Sequence, residues 1–91
     1  MRILLVEDEE ALSDAVAEIL KQNHYQVDAV YRGDDGYDYA SSGIYDMILL
    51  DIMLPGMDGF SVCSKIRETS NAHILIVSAK TDKGDKFKGL K

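Results

Sequence analysis

Two apolar runs in this chain end abruptly in acid. Ile3-Leu4-Leu5-Val6 stops at Glu7 and Asp8, and Met47-Ile48-Leu49-Leu50 stops at Asp51. Acids after a strand often do no more than solvate a loop or cap a helix, which is the plain reading of Glu7 to Glu10 taken alone. Asp51 is different, because an acid closing the most hydrophobic run of the interior is costly to place there unless something compensates it. If the two runs are neighbouring parallel strands, three carboxylates converge beyond the carboxyl end of a sheet. They repel one another, and a divalent cation resolves the conflict. All the candidate ligands are oxygens, and neither His24 nor His73 stands at the end of such a run, so Mg²⁺ fits better than Zn²⁺. Mg²⁺ commonly completes its shell with water and a phosphate oxygen, so the site would accept a phosphoryl group. An Asp carboxylate can itself attack such a group and form an aspartyl phosphate.

The elements that must hold these acids alternate along the chain. After the first run, Leu12, Ala15, Val16, Ile19 and Leu20 recur at helical steps. Gln26 to Tyr31 alternates, with Val27, Ala29 and Tyr31 on one side, and is predicted as an edge strand. Asp34 and Asp35 cap and charge a weaker helix containing Gly36, Tyr37 and Ala40, stopped by Gly43. After Asp51, a turn around Pro55-Gly56 leads to an Asp58 N-cap and a helix with Phe60, Cys63 and Ile66 inward. Ile74 to Val77 is a further aliphatic run, ending in Ser78, and Phe87 and Leu90 mark a short last helix. Strands alternating with helices predict parallel strands with right-handed crossovers, and runs without alternation predict a sheet covered on both faces. Ligands of such sheets gather at the carboxyl ends of the strands, where the strand order reverses.

Composition narrows the function classes. At 91 residues, with 46% hydrophobic and 29% charged side chains, residues 1–91 read as one domain, with no second domain and no disordered class. The net charge of −6 disfavours direct nucleic-acid contact by this segment, because phosphate binding needs clustered Lys and Arg. Basic charge concentrates at the end, in Lys80, Lys83, Lys86, Lys88 and Lys91. The single Cys63 excludes an intrachain disulfide, reads as packing, and fits a reducing compartment, so the cytoplasm is expected. The opening apolar run is far shorter than the roughly 7–15 residues of a signal-peptide core, and nothing is long enough to enter a membrane.

Three strings together resemble the receiver domain of two-component response regulators: Val6-Glu7-Asp8-Glu9, then Asp51-Ile52-Met53-Leu54-Pro55-Gly56-Met57-Asp58-Gly59, then Val77-Ser78-Ala79-Lys80. The resemblance implies an α/β, flavodoxin-like, doubly wound parallel sheet with strand order 2-1-3-4. It implies Asp51 as phosphoacceptor from a sensor histidine kinase, with Mg²⁺ held by Glu7, Asp8, Asp51 and the backbone carbonyl of Met53. Asp8 would be the more direct ligand of the acidic pair, Glu7 acting largely through water. Ser78 would be the hydroxyl that senses the phosphoryl group, switching the following loop and helix toward an output domain or partner subunit. The domain would be regulatory rather than an enzyme, assisting only its own phosphorylation and dephosphorylation. The long motif is most similar to members that precede a winged-helix DNA-binding domain, which makes a transcription regulator the expected parent.

The departures from the family set further expectations. The resemblance implies a fifth βα unit, and this sequence spells only four, so a truncated receiver is the favoured reading over a chain completed in trans by a partner or swapped element, or a four-unit variant. Ile74 to Val77 would then be an exposed sheet edge open to self-association or swapping. The lysine that pairs with the phosphoryl group in the family belongs to that fifth unit, and none of the five tail lysines is assigned the role. The chain alone is expected to bind Mg²⁺ weakly and to be phosphorylated poorly. Two other functions compete: a phosphorylation-independent interaction module, and a Mg²⁺-dependent phosphohydrolase. The hydrolase would need a second Asp two residues beyond the nucleophile, where Met53 stands.

Overall fold

A computed structural model describes residues 1–77. The predicted last helix with Phe87 and Leu90, the tail lysines and Ser78 lie outside the described residues. The elements are β1 (Arg2–Val6), α1 (Glu10–Gln22), β2 (Gln26–Val30), α2 (Gly33–Ala40), β3 (Met47–Asp51), α3 (Gly59–Arg67) and β4 (His73–Val77). All strand pairs are parallel, and the order is β2-β1-β3-β4, as the sequence resemblance implied. Parallel neighbours cannot be joined by a tight turn, so each connection is a helical crossover. The chain steps from β1 outward to β2 and returns to place β3 on β1's other side. That reversal opens a crevice between the carboxyl ends of β1 and β3.

Alternation along the strands divides the sheet's two faces. Leu4, Val6, Ile48 and Leu50 point toward α2 and α3 and form the main core with Val30, Ala40, Tyr45, Val62, Ile66 and Ala72. Each such aliphatic side chain contributes about 1.5–3 kcal/mol on burial, so this face is the principal anchor of β3 and hence of Asp51. On the opposite face, Leu5, Leu49 and Leu75 meet Leu12 and Val16 of α1 around an apolar cavity of about 210 Å³.

Four expectations are corrected. Ala15 and Ile19 belong to α1's apolar stripe yet are exposed, because α1 covers only part of its face of the sheet. β4 is an edge strand among the described residues, as expected for Ile74 to Val77, but with Leu75 53% and Val77 40% exposed the expected coverage of both faces fails there. In β2 the strand ends at Val30, which is buried, while Tyr31 beyond it is exposed, so alternation there separates two packed faces. In α2 the N-cap is Arg32 and makes no side-chain cap; Asp34 and Asp35 occupy the first turn, where their charge suits the helix dipole. Asp34 instead pairs with the Arg32 guanidinium through bonds of 3.0 and 3.2 Å.

Helix α3 corrects a fifth detail and confirms its start. Asp58 is the N-cap, accepting the Ser61 N–H at 2.9 Å. The buried stripe is Gly59, Val62 and Ile66, whereas Phe60 is 60% exposed and Cys63 is half-buried. Close seating of Gly59 at the end of β3 turns the helix so that Phe60 faces out.

Candidate metal and phosphoryl site

Each acid is placed by a different local device. Glu7 directly follows β1, and its backbone N–H donates to the Val30 carbonyl at 3.1 Å, continuing the strand pairing for one more residue. Its side chain is buried, and its carboxylate accepts the Glu9 N–H at 2.9 Å. Asp8, one residue on, is half-buried and faces the crevice mouth. Asp51 is the final residue of β3, partnered in register with Val77 of β4, and only 1% exposed.

These three residues each offer a carboxylate oxygen, and the three oxygens lie within 4.8 Å of one another. The sequence expectation that acids from separate segments come together therefore holds, as proximity, for Glu7, Asp8 and Asp51. At that spacing two ionised carboxylates repel by about 3 kcal/mol at an effective dielectric of about 20. A divalent cation turns the repulsion into shared attraction, and an all-oxygen donor set matches a hard ion such as Mg²⁺. The residues present thus fit the metal that the acids call for.

The neighbouring loop completes the entrance. Met53 stands two residues beyond Asp51 and, with Asp8, Ile52, Leu54, Pro55, Asp58 and Phe60, lines an open groove of about 630 Å³. The loop's foot is closed by the Gly59 N–H donating to the Ile52 carbonyl at 2.8 Å. Asp58, on the groove's rim, also accepts the Ser61 hydroxyl at 3.0 Å, and these two bonds hold its carboxyl below the usual range. Ser78 cannot be placed against this site, since it falls outside the described residues. His24 and His73 are both exposed, the first just after α1 and the second at the amino end of β4, so neither joins the acids.

Sequence reasoning missed two features of the site. One is the exposed Phe60 at the groove, which a helical pattern alone had turned inward. The other is the contact of the β2–α2 junction with the loop after β3, where the Gly33 N–H donates to the Pro55 carbonyl at 2.9 Å. A bridge between segments so far apart in sequence has no periodic signature.

Comparison with known proteins bears on the family and the fold. Residues 3–91 match the response regulator receiver domain family. The transcriptional regulatory protein DltR of Streptococcus agalactiae is 43% identical over 91 residues, covering 99% of this chain and 41% of its own length. Response regulator ArlR of Staphylococcus aureus is 45% identical over 89 residues, again covering 41% of its own length, so the chain spans about two-fifths of these curated relatives. Among solved structures, the receiver domain of sensor histidine kinase PA1611 from Pseudomonas aeruginosa superposes with a TM-score of 0.82 at 32% identity, covering 94% of this chain and 73% of that one. It holds a magnesium ion in its active-site cleft. A chain from the complex of histidine kinase ThkA with response regulator TrrA superposes with a TM-score of 0.80 at 32% identity, over 90% of this chain and 72% of that one.

Proposed function

Because this chain belongs to the response regulator receiver family, we propose that it is a phosphorelay switch in which Asp51 accepts a phosphoryl group from the phosphohistidine of a sensor kinase. The observation that carries the reading is the meeting of Glu7, Asp8 and Asp51 within 4.8 Å at the point where the sheet order reverses. Asp8, Asp51 and the Met53 backbone carbonyl would ligate Mg²⁺, with Glu7 acting largely through water. Bound there, the metal would supply positive charge against the oxygens of the transferring group.

The chain's own contribution is positioning. β3 is fixed between β1 and β4, so the Asp51 carboxylate is presented at the crevice floor with little freedom to move. A carboxylate oxygen of Asp51 attacks phosphorus, the P–N bond to the kinase imidazole breaks, and its electron pair returns to the ring nitrogen. The product is an aspartyl phosphate, and the Ser78 hydroxyl is the group assigned to hydrogen-bond it. The added dianionic charge biases two arrangements of the segment after Ser78 by its differential interaction with each.

The TrrA–ThkA complex supports a histidine kinase as partner, and the name of DltR supports a parent that regulates transcription. No helix of the described residues is long and apolar enough to cross a membrane, and the proposed setting is the cytoplasm. Incubation with a small acyl phosphate and Mg²⁺, followed by peptide mass mapping, tests the reading. The expected product carries one phosphoryl group on Asp51, labile in both acid and base and released by hydroxylamine, formed only with Mg²⁺ and absent from Asp51→Asn. Labelling at another residue, or labelling independent of Mg²⁺, contradicts it.

A further inference from the structure

The loop between Asp51 and Gly59 is gripped from outside the acidic cluster. Its tip lies against the junction of β2 and α2, through three separate features. The Gly33 N–H donates to the Pro55 carbonyl at 2.9 Å. Gly33 also sits so close to the Met57 backbone that any side chain there would overlap the Met57 carbonyl. Gly56, at a φ of +86°, packs against the paired Arg32 and Asp34 side chains, which a side chain at position 56 would strike.

From this arrangement we propose that Gly33, with the Arg32–Asp34 pair, positions the metal site: the junction fixes the loop that carries the Met53 carbonyl and so tunes Mg²⁺ affinity without touching the ion. The inference rests on the proposed reading of Glu7, Asp8, Asp51 and Met53 as the ligand set. Mg²⁺ demands near-ideal octahedral geometry, so a carbonyl ligand on a wandering loop binds poorly even when every carboxylate is intact. The Gly59 bond to Ile52 closes the foot of the loop but leaves its tip to be held by something else. Among the described residues, the β2–α2 junction is the element that meets the tip through backbone, and a backbone grip is stiffer than one made by a long side chain.

Calorimetric titration of the full chain with Mg²⁺ tests this, with urea unfolding of the metal-free protein as a parallel measurement. Gly33→Ala should raise the Mg²⁺ dissociation constant by about 10- to 100-fold, the range seen when groups supporting metal ligands are removed, with the stoichiometry still one ion per chain. Arg32→Ala should raise it less, in the same direction, while leaving metal-free unfolding unchanged, since an exposed ion pair adds little to stability. That separation is the one a merely structural role would not produce. Should Gly33→Ala fail to fold, Arg32→Ala decides. A wild-type chain that takes up no Mg²⁺ overturns the site assignment itself. Wild type and folded variants binding Mg²⁺ equally well overturn the positioning role alone.

Discussion

The Glu7 carboxylate accepts the backbone N–H of Glu9 at 2.9 Å, so an acid buried behind β1 is tethered by the segment that opens α1. That tether keeps its charge close to Asp8 and Asp51, and the cost falls on the metal-free protein. Replacing Asp8 by Asn should therefore stabilise the metal-free fold by about 1–3 kcal/mol, by relieving like-charge repulsion. The same change should remove most of the stabilisation by Mg²⁺, which for wild type reaches about 2.7 kcal/mol at a concentration 100-fold above the dissociation constant. Urea unfolding with and without Mg²⁺ measures both. A variant that is weaker without metal and responds to Mg²⁺ like wild type would refute the charge-cluster explanation.

His24 occupies a left-handed conformation, φ +71°, immediately after the Asn23 C-cap of α1. Its N–H donates to the Lys21 carbonyl at 2.9 Å, and the Tyr25 N–H reaches the Leu20 carbonyl at 3.2 Å, the pattern of a helix end that favours glycine. His24→Gly should raise stability by about 1 kcal/mol, the strain of a left-handed side-chain residue. A lower unfolding midpoint would show that the imidazole has a role this geometry does not reveal.

Much of this was legible in the letters. The acids were legible because Glu7 with Asp8, and Asp51, each follow an aliphatic run at the carboxyl end of a parallel strand, and it was Asp51, closing the most hydrophobic run, that gave the cluster its chemical meaning. The strand order came from the family resemblance rather than from the pattern. Phe60 was misplaced because an inward stripe through 60, 63 and 66 and one through 59, 62 and 66 share Ile66, and only the seating of Gly59 at β3 chooses between them. For α1 the period was readable but not the depth: Ile19 lies on an apolar stripe, yet a stripe does not say what packs against it. The Gly33 grip on Pro55 is set by tertiary approach alone.

Tyr45 donates its hydroxyl to Asp28 at 2.6 Å across the rim of the main core. Burial, and then the Asp28 bond, push its phenol well above the ordinary value of 10.0. A group whose folded value is raised contributes stability below the unfolded value and loses it as pH climbs through the folded one. Wild-type stability should therefore fall more steeply above pH 10 than that of Tyr45→Phe. At neutral pH the same variant should lose about 1.5–3 kcal/mol, the worth of a hydrogen bond to a charged partner. Parallel pH profiles of the two proteins would count against this assignment.

Asp58 gives the opposite limb. The Ser61 N–H and hydroxyl hold its carboxyl below the ordinary 3.8. Its contribution is present above that unfolded value and disappears as pH falls through the lowered one. Asp58→Asn keeps an N-cap acceptor but removes the charge, so its acid unfolding limb should be shallower than wild type's. Identical acid limbs would mean that the cap's charge does not enter the folding equilibrium.

The shared-cation claim is most directly tested with Mn²⁺, which prefers the same oxygen ligands as Mg²⁺ and can be located by its anomalous scattering in a crystal of this chain. One peak is expected in the crevice between β1 and β3, in direct contact with carboxylate oxygens of Asp8 and Asp51 and with the Met53 carbonyl. An ion bound elsewhere, or crystals soaked to saturation with no peak among Glu7, Asp8 and Asp51, would contradict it.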